Sequence, residues 1–210
     1  DMLEAAKTDI YYENAMYTVA GTDRAVGLFE VAARAVKSGA PADRGLEAEN
    51  IYDPIAPTYP NGCHIAEVEV DPETGVVTLE SYVMAQDVGR ALNPMVVEGQ
   101  LVGGVAQGVG QALLEWNVKD PESGQLLTGS FMDCAMPRAD DLPSFSTEIL
   151  EIPCLSTPTG VKSVGEAGPT GAPAAVINAV VDALRPLGVR HIEMPATPYV
   201  VWKAIQAAND

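Results

Sequence analysis

Residues 63–89, CHIAEVEVDPETGVVTLESYVMAQDVG, decide the fold. Ala66, Val68 and Val70 alternate with Glu67 and Glu69, the period of a strand with one packed face and one wet face. DPETG then turns the chain, and VVTLESYVMAQDVG runs back as the second strand of a hairpin. Such a sheet needs cover, and three stretches downstream carry helical spacing. One runs from about Val96 to Trp116, after GRALNP interrupts the strand pattern. A second spans Gly171 to Leu184, with Ala175, Ile177, Val180, Val181 and Leu184 as its apolar stripe and Pro173 near its first turn. In the third, TPYVVWKAIQAAN, Thr197 is the expected cap and Pro198 the first helical residue. A hairpin-like segment turns at Pro121 to Gly124, and FSTEILEI reads as a short strand. Strands and helices mix without a βαβ rhythm, so the expected class is α+β, mixed sheets with packed helices.

Upstream of that sheet, DIYYENAMYTVAGTD (9–23) predicts a hairpin around Glu13 and Asn14, with Tyr11, Met16, Tyr17 and Val19 as strand formers. Thr22 or Asp23 is the expected cap of a helix carrying Val26, Phe29 and Val36 and ending at Gly39 and Pro41. Residues 41–62 hold four prolines and two glycines and read as an irregular crossing segment. The pattern opens in mid-course, so the sequence is expected to be a piece of a longer polypeptide, with residues 1–62 and 63–210 as a possible subdivision.

Composition narrows the function classes. The 210 residues are 47% hydrophobic, enough for a substantial core. Twelve basic against 29 acidic residues give a net charge of -17, which repels phosphodiester backbones and argues against nucleic acid as a partner. No apolar run approaches the ~20 residues of a membrane span, and the first residues lack the pattern of a secretory signal. Cys63, Cys134 and Cys154 are odd in number and scattered, which favours reduced thiols and a cytoplasmic location. With His64 and His191 the only histidines, no structural zinc set is expected.

Two segments stand out chemically. EGQLVGGVAQGVGQALLE (98–115) places Gly103, Gly104, Gly108 and Gly110 inside a helical pattern, at a cost of about 0.8–1 kcal/mol each relative to alanine. Glycines there permit close approach of either a second backbone or a flat ligand. Gln100, Gly104, Gln107 and Gln111 share one stripe beside the apolar stripe of Leu101, Val105 and Ala112. Carboxamides offer a donor and an acceptor together, which suits the edge of a heterocycle; the same glutamines equally suit a solvated face.

GVKSVGEAGPTGAP (160–173) sets one acid, Glu166, among small residues ahead of a helix N-terminus, where unpaired N–H groups and the dipole favour anionic or oxygen-rich ligands. The spacing matches neither a P-loop nor a dinucleotide-binding GxGxxG. Glu166 is either a desolvated general base or a solvated acid, free or paired with Lys162.

Taken in order, YPNGCHIAEVEVDPETG, DVGRALNP, VEGQLVGGVAQGVGQALLE, GSFMDCAMPRADDLPSF and GVKSVGEAGPTGAPAAVINAVVDAL cover most of the chain. Together they resemble the molybdenum-binding large subunit of the xanthine oxidase family, nearest to its aerobic carbon monoxide dehydrogenase branch. The resemblance implies the C-terminal part of a molybdopterin-binding domain over 1–210, with Mo-molybdopterin cytosine dinucleotide as cofactor and Glu166 of the VGE motif as the base beside molybdenum. It places Lys162, Ser163, Val164 and Gly165 along the pterin dinucleotide and Gln100 on the pterin, and it extends to Gly103, Gly104 and Gln107. No metal ligand from the protein is implied. Many relatives have histidine where this chain has Val102, and another pair at Gly168-Pro169. The implied partners are the upstream half of the large subunit and subunits carrying FAD and two-iron, two-sulfur clusters, since three scattered cysteines cannot hold a cluster. The complete assembly is expected to be a dimer of heterotrimers. The alternative is a truncated or separately encoded module that contributes to cofactor binding or assembly without turnover. A further reading is a hydrolase pairing Glu166 with a second carboxylate such as Asp87.

Overall fold

The computed structural model describes residues 2–37 and 49–209. The helix stop expected at Gly39 and Pro41, and the first part of the crossing segment, lie outside the described residues; residues 49–60 form no helix or strand. The chain divides into two compact units, Asp1–Asp53 and Pro54–Asp210.

In the first unit, β1 (Ile10–Glu13) and β2 (Met16–Val19) form the antiparallel hairpin, with Glu13 opposite Met16. Asn14 and Ala15 take φ of 50° and 59° at its turn. The expected helix start is corrected here. Thr22 uses its hydroxyl within a turn, donating to the Val19 carbonyl at 2.9 Å and accepting from the Arg24 N–H at 3.2 Å. The chain therefore folds back as β3 (Ala25–Gly27) beside β2, and α1 (Leu28–Lys37) begins only afterwards. Val26 is thus a buried strand residue in a small core with Leu3 and Val19, while Phe29 and Val36 are exposed.

The second unit is built on β4 (Asn61–Val70) and β5 (Val77–Asp87), antiparallel as expected, with β6 (Phe145–Leu150) parallel to β5 at the edge. Glu67 pairs with Ser81 and Val68 with Leu79, so Glu80 is an extra residue on β5. That bulge explains why Leu79 and Tyr82, three apart, both point inward with Met84 and Gln86.

Two helices cover this face. Asn93 caps α2 (Pro94–Leu113), its side chain accepting from the Val96 N–H at 3.3 Å. Thus LNP starts the helix, two residues before Val96. Helix α3 (Ala167–Leu184) begins four residues ahead of Gly171, because Pro169 sits in a first turn that needs no N–H from it. Its buried residues Gly168, Ala172, Val176, Val180 and Leu184 recur every four positions and face α2 and the sheet. Leu101, Val105 and Val109 of α2 complete the core with Tyr82 and Met84.

The glycines of α2 do two different things. A Cβ on Gly104 would lie 2.6 Å from Pro169 Cδ, and one on Gly108 would lie 2.6 Å from Ala172 Cβ, so both exist for α3. In return, a Cβ on Gly168 would lie 2.6 Å from the Leu101 oxygen and 2.7 Å from the Val105 nitrogen: the helices meet backbone to backbone. Gly104 therefore leaves the amide stripe and joins the core. The exposed stripe consists of Gln100, Gly103, Gln107 and Gln111, and a Cβ on Gly103 would meet nothing within 4 Å. Helix α4 (Pro198–Asn209) closes the unit, starting at Pro198 as expected. The side-chain cap expected of Thr197 is not made: its carbonyl accepts from the Val201 N–H at 3.0 Å, while Oγ1 is buried without a partner.

Candidate functional site

The segment carrying Glu166 is fixed at its start by the end of β5. Asp87 is buried and pairs with the Lys162 ammonium. It also accepts from the Gly89 N–H at 2.9 Å and the Ile152 N–H at 3.3 Å. Burial alone would raise its pKa; these donors, Lys162 first among them, outweigh it and hold the carboxyl below its ordinary value. Around the pair, the Lys162 N–H donates to the Val88 carbonyl and the Arg90 N–H to the Gly160 carbonyl, both at 2.9 Å. Gly89, with φ of 65°, lies so close to the Gly160 carbonyl that no side chain fits. DVG and GVK, more than seventy residues apart, are one construction. The pairing of Lys162 with Glu166 is thereby corrected, and Asp87 is committed to Lys162 instead of serving as a second catalytic carboxylate.

At its other end the segment rests on α2 and the crossing loop. Gln100 Nε2 donates to the Gly165 carbonyl at 2.9 Å, and the Ser163 N–H donates to Thr58 Oγ1 at 3.2 Å. Val164 packs on the core and its carbonyl accepts from the Ala167 N–H at 3.2 Å. Glu166 is the N-cap of α3, but its side chain caps nothing and is exposed; its carbonyl accepts from the Thr170 N–H at 3.1 Å. Glu166 enters no ion pair among the described residues. The N–H groups of Val164, Gly165 and Glu166 find no acceptor among the described residues. Of the sequence-predicted residues, Gln100, Gly165 and Glu166 come together directly, with Ser163 and Val164 between them and Lys162. Gly103 and Gln107 continue the exposed stripe of α2 from Gln100, whereas Gly104 is closed off by Pro169.

Glu166 opens onto a cleft of about 390 Å³, lined also by Thr58, Ser163, Thr170, His64 and Gln86. A larger hollow of about 860 Å³ belongs to the first unit and includes none of these residues. Beneath the cleft, His64 Nδ1 lies 2.7 Å from the Tyr82 hydroxyl and Nε2 lies 3.4 Å from Gln86 Oε1. Burial lowers the His64 pKa, opposed by the Gln86 bond, and burial raises that of Tyr82. A Cβ on Gly171 would lie 2.9 Å from three atoms of the His64 ring, so α3 rests on the flat of the imidazole. The sequence reading considered His64 only as a metal ligand and missed Gln86 and Tyr82. Their signal was positional: polar side chains on the inward face of an otherwise apolar hairpin.

Among the described residues no three His, Cys, Asp or Glu side chains converge on a metal site. A metal in this cleft would bring its own organic ligand. The free N–H groups, the Gln100 carboxamide and the open Gly103 face fit such an oxygen- and nitrogen-rich molecule. A mixed α and β fold with a glycine-faced helix beside a polar cleft leaves room for such a ligand. The family model for the molybdopterin cofactor-binding domain matches residues 1–143. The large subunit of nicotine 6-hydroxylase from Paenarthrobacter nicotinovorans is 40% identical over 100% of this chain and 26% of its own length. Among solved structures, the Cu,Mo-CO dehydrogenase matches with a TM-score of 0.85 at 33% identity, over 99% of this chain and 26% of that one. Quinoline 2-oxidoreductase from Pseudomonas putida 86 matches with a TM-score of 0.82 at 39% identity, over 97% of this chain and 26% of that one. The chain belongs to the molybdopterin cofactor-binding family of the xanthine oxidase and carbon monoxide dehydrogenase large subunits, whose members are molybdenum-dependent oxidoreductases. It spans about a quarter of the length of these relatives, 26% in each case.

Proposed function

We propose that this chain forms one wall of the molybdenum site in the large subunit of a hydroxylase or dehydrogenase, with Glu166 as its general base. The observation that carries the reading is the placement of Glu166: a carboxylate with no ion-pair partner among the described residues, at the mouth of a cleft, on a segment held at both ends by Lys162–Asp87 and by Gln100. The bound cofactor, Mo-molybdopterin cytosine dinucleotide, supplies the oxidation chemistry and the path for electrons. The chain's own residues orient and move a proton. Glu166 would accept, at its carboxylate, the proton released as a hydroxyl oxygen passes to the substrate in the cleft. Gln100, Gly103 and Gln107 present the amide face of α2 to the pterin. Ser163, Val164 and Gly165 follow the dinucleotide with backbone groups. Lys162 acts through Asp87, fixing where that backbone lies, and Gly104 acts through the α2–α3 contact.

The same reading sets the chain beside the rest of a large subunit and beside partner subunits holding FAD and two-iron, two-sulfur clusters, assembled as a dimer of heterotrimers in the cytoplasm. No helix among the described residues is long and apolar enough to cross a membrane. The activities of the nicotine and quinoline relatives direct the substrate screen to N-heteroaromatic rings, with carbon monoxide as comparison. The test is co-expression with the upstream half and partner subunits, followed by metal analysis, acid release of the nucleotide and an electron-acceptor assay. Molybdenum, cytidine monophosphate and substrate-dependent reduction are expected. Absence of molybdenum overturns the cofactor assignment, and a different nucleotide overturns the dinucleotide. Cofactor without turnover on any substrate favours the alternative of a binding or assembly module.

A further inference from the structure

Gln86 is a buried carboxamide, 3% exposed, whose surroundings determine which end it shows to the cleft. Tyr82, only 1% exposed, sets that orientation. Among the described residues its hydroxyl makes one hydrogen bond, with His64 Nδ1 at 2.7 Å, and a buried O–H left without an acceptor costs about 1–3 kcal/mol. Tyr82 therefore donates to Nδ1. The neutral imidazole then carries its proton on Nε2, which donates to Gln86 Oε1 at 3.4 Å. With its oxygen engaged by His64, Gln86 must turn its NH₂ the other way. That nitrogen has no acceptor among the described residues. It is also not an enclosed orphan, for among the described residues only Thr197 Oγ1 is both fully buried and unpartnered. Gln86 Nε2 therefore reaches the cleft that Glu166 shares.

Space has been left on both sides of this relay. Gly62 stands opposite Gln86 in the β-ladder, where a side chain would overlap the Gln86 carboxamide. Gly171 lies flat on the His64 ring. The carboxamide cannot flip without losing the His64 bond, so its NH₂ donors are the end it holds toward the cleft.

We propose that Gln86 is a ligand-binding residue whose NH₂ group, oriented through Tyr82 and His64, receives an acceptor atom of a heterocycle, either a carbonyl oxygen or a pyridine-type nitrogen. His64 and Tyr82 are positioning residues. The heterocycle is the substrate or the cofactor's own ring system, and the assignment of that heterocycle rests on the proposed function.

Two measurements test this. The full chain with ¹⁵N-labelled histidine gives two imidazoles, and exposed His191 serves as the internal reference for His64. The long-range ¹⁵N–¹H pattern of His64 is expected to be that of the neutral Nε2–H form; an Nδ1–H form would reverse Gln86 and overturn the proposal. In the assembled enzyme, Gln86→Glu keeps the acceptor for His64 and removes both donors, and Gln86→Met removes donors and acceptor at similar length. If the partner is substrate, both variants keep molybdenum and kcat while KM rises about 3- to 10-fold, the loss of one hydrogen bond. If it is cofactor, molybdenum and nucleotide content fall with kcat per molybdenum unchanged. Variants unchanged in both KM and cofactor content overturn the proposal. A wild-type assembly lacking molybdenum instead defeats the proposed function, and the tautomer, read on the chain alone, still stands or falls by itself.

Discussion

Replacing Gly168 with alanine probes the contact on which the position of Glu166 depends. The added methyl would lie 2.6 Å from the Leu101 oxygen and 2.7 Å from both the Gly104 carbon and the Val105 nitrogen. Ordinary contact begins near 3.4 Å, so the first turn of α3 must retreat by about 0.8 Å. All three obstacles are α2 backbone, so no side chain can swing aside. Overpacking of this kind costs about 1–3 kcal/mol. In a chain of this size each kcal/mol lowers Tm by about 2–4 °C. Glu166 lies two residues from the displaced turn, and a shift approaching 1 Å in a positioned group costs up to about 10²-fold in turnover. The assays are urea unfolding of the chain and kcat per molybdenum in the assembled enzyme. Wild-type midpoint and wild-type kcat together would refute both the backbone contact and its role in placing the base.

Gly103→Ala makes the opposite prediction: with nothing within 4 Å, it stabilises the chain by about 0.8–1 kcal/mol in urea unfolding while lowering molybdenum occupancy of the assembled enzyme. Asp87→Asn strands the Lys162 ammonium and is expected to cost about 3–5 kcal/mol. Because the Asp87 pKa is depressed on folding, its stabilisation is complete above the ordinary carboxylate range and fades as pH falls through the folded value. Urea midpoints of wild type and variant should therefore start to approach each other only below about pH 4 and converge once the pH is under the folded Asp87 value. His64 is also depressed, so the unfolded chain binds its proton first and stability falls as pH drops below about 6.5. His64→Gln should flatten the urea midpoint between pH 7 and 5.5, and a slope equal to wild type would show that His64 is not the group responsible.

The hairpin at 61–87 was legible because alternation there is a local property of the strands, and α2 and α3 because their apolar spacing is. The start of α3 was misplaced because Gly168 and Pro169 are poor helix formers taken alone; only the α2 backbone against them makes a helix the best use of those residues. β3 was absorbed into a helix for a similar reason, since its pairing with β2 is tertiary. At the site, Glu166 and Gln100 stood out by composition. The partner of Lys162 did not, because Asp87 lies 75 residues away in sequence. The His64, Tyr82 and Gln86 relay crosses two strands, and nothing short of the register aligns its members.

The central claim is that Glu166 is the base. Glu166→Gln preserves shape, and because the side chain caps nothing and forms no ion pair among the described residues, it should leave folding and molybdenum content at wild-type levels. Turnover per molybdenum in the assembled enzyme should then fall by about 10²–10⁴-fold, the range of a lost general base. A fully loaded Glu166→Gln enzyme that turns over at the wild-type rate would contradict the account.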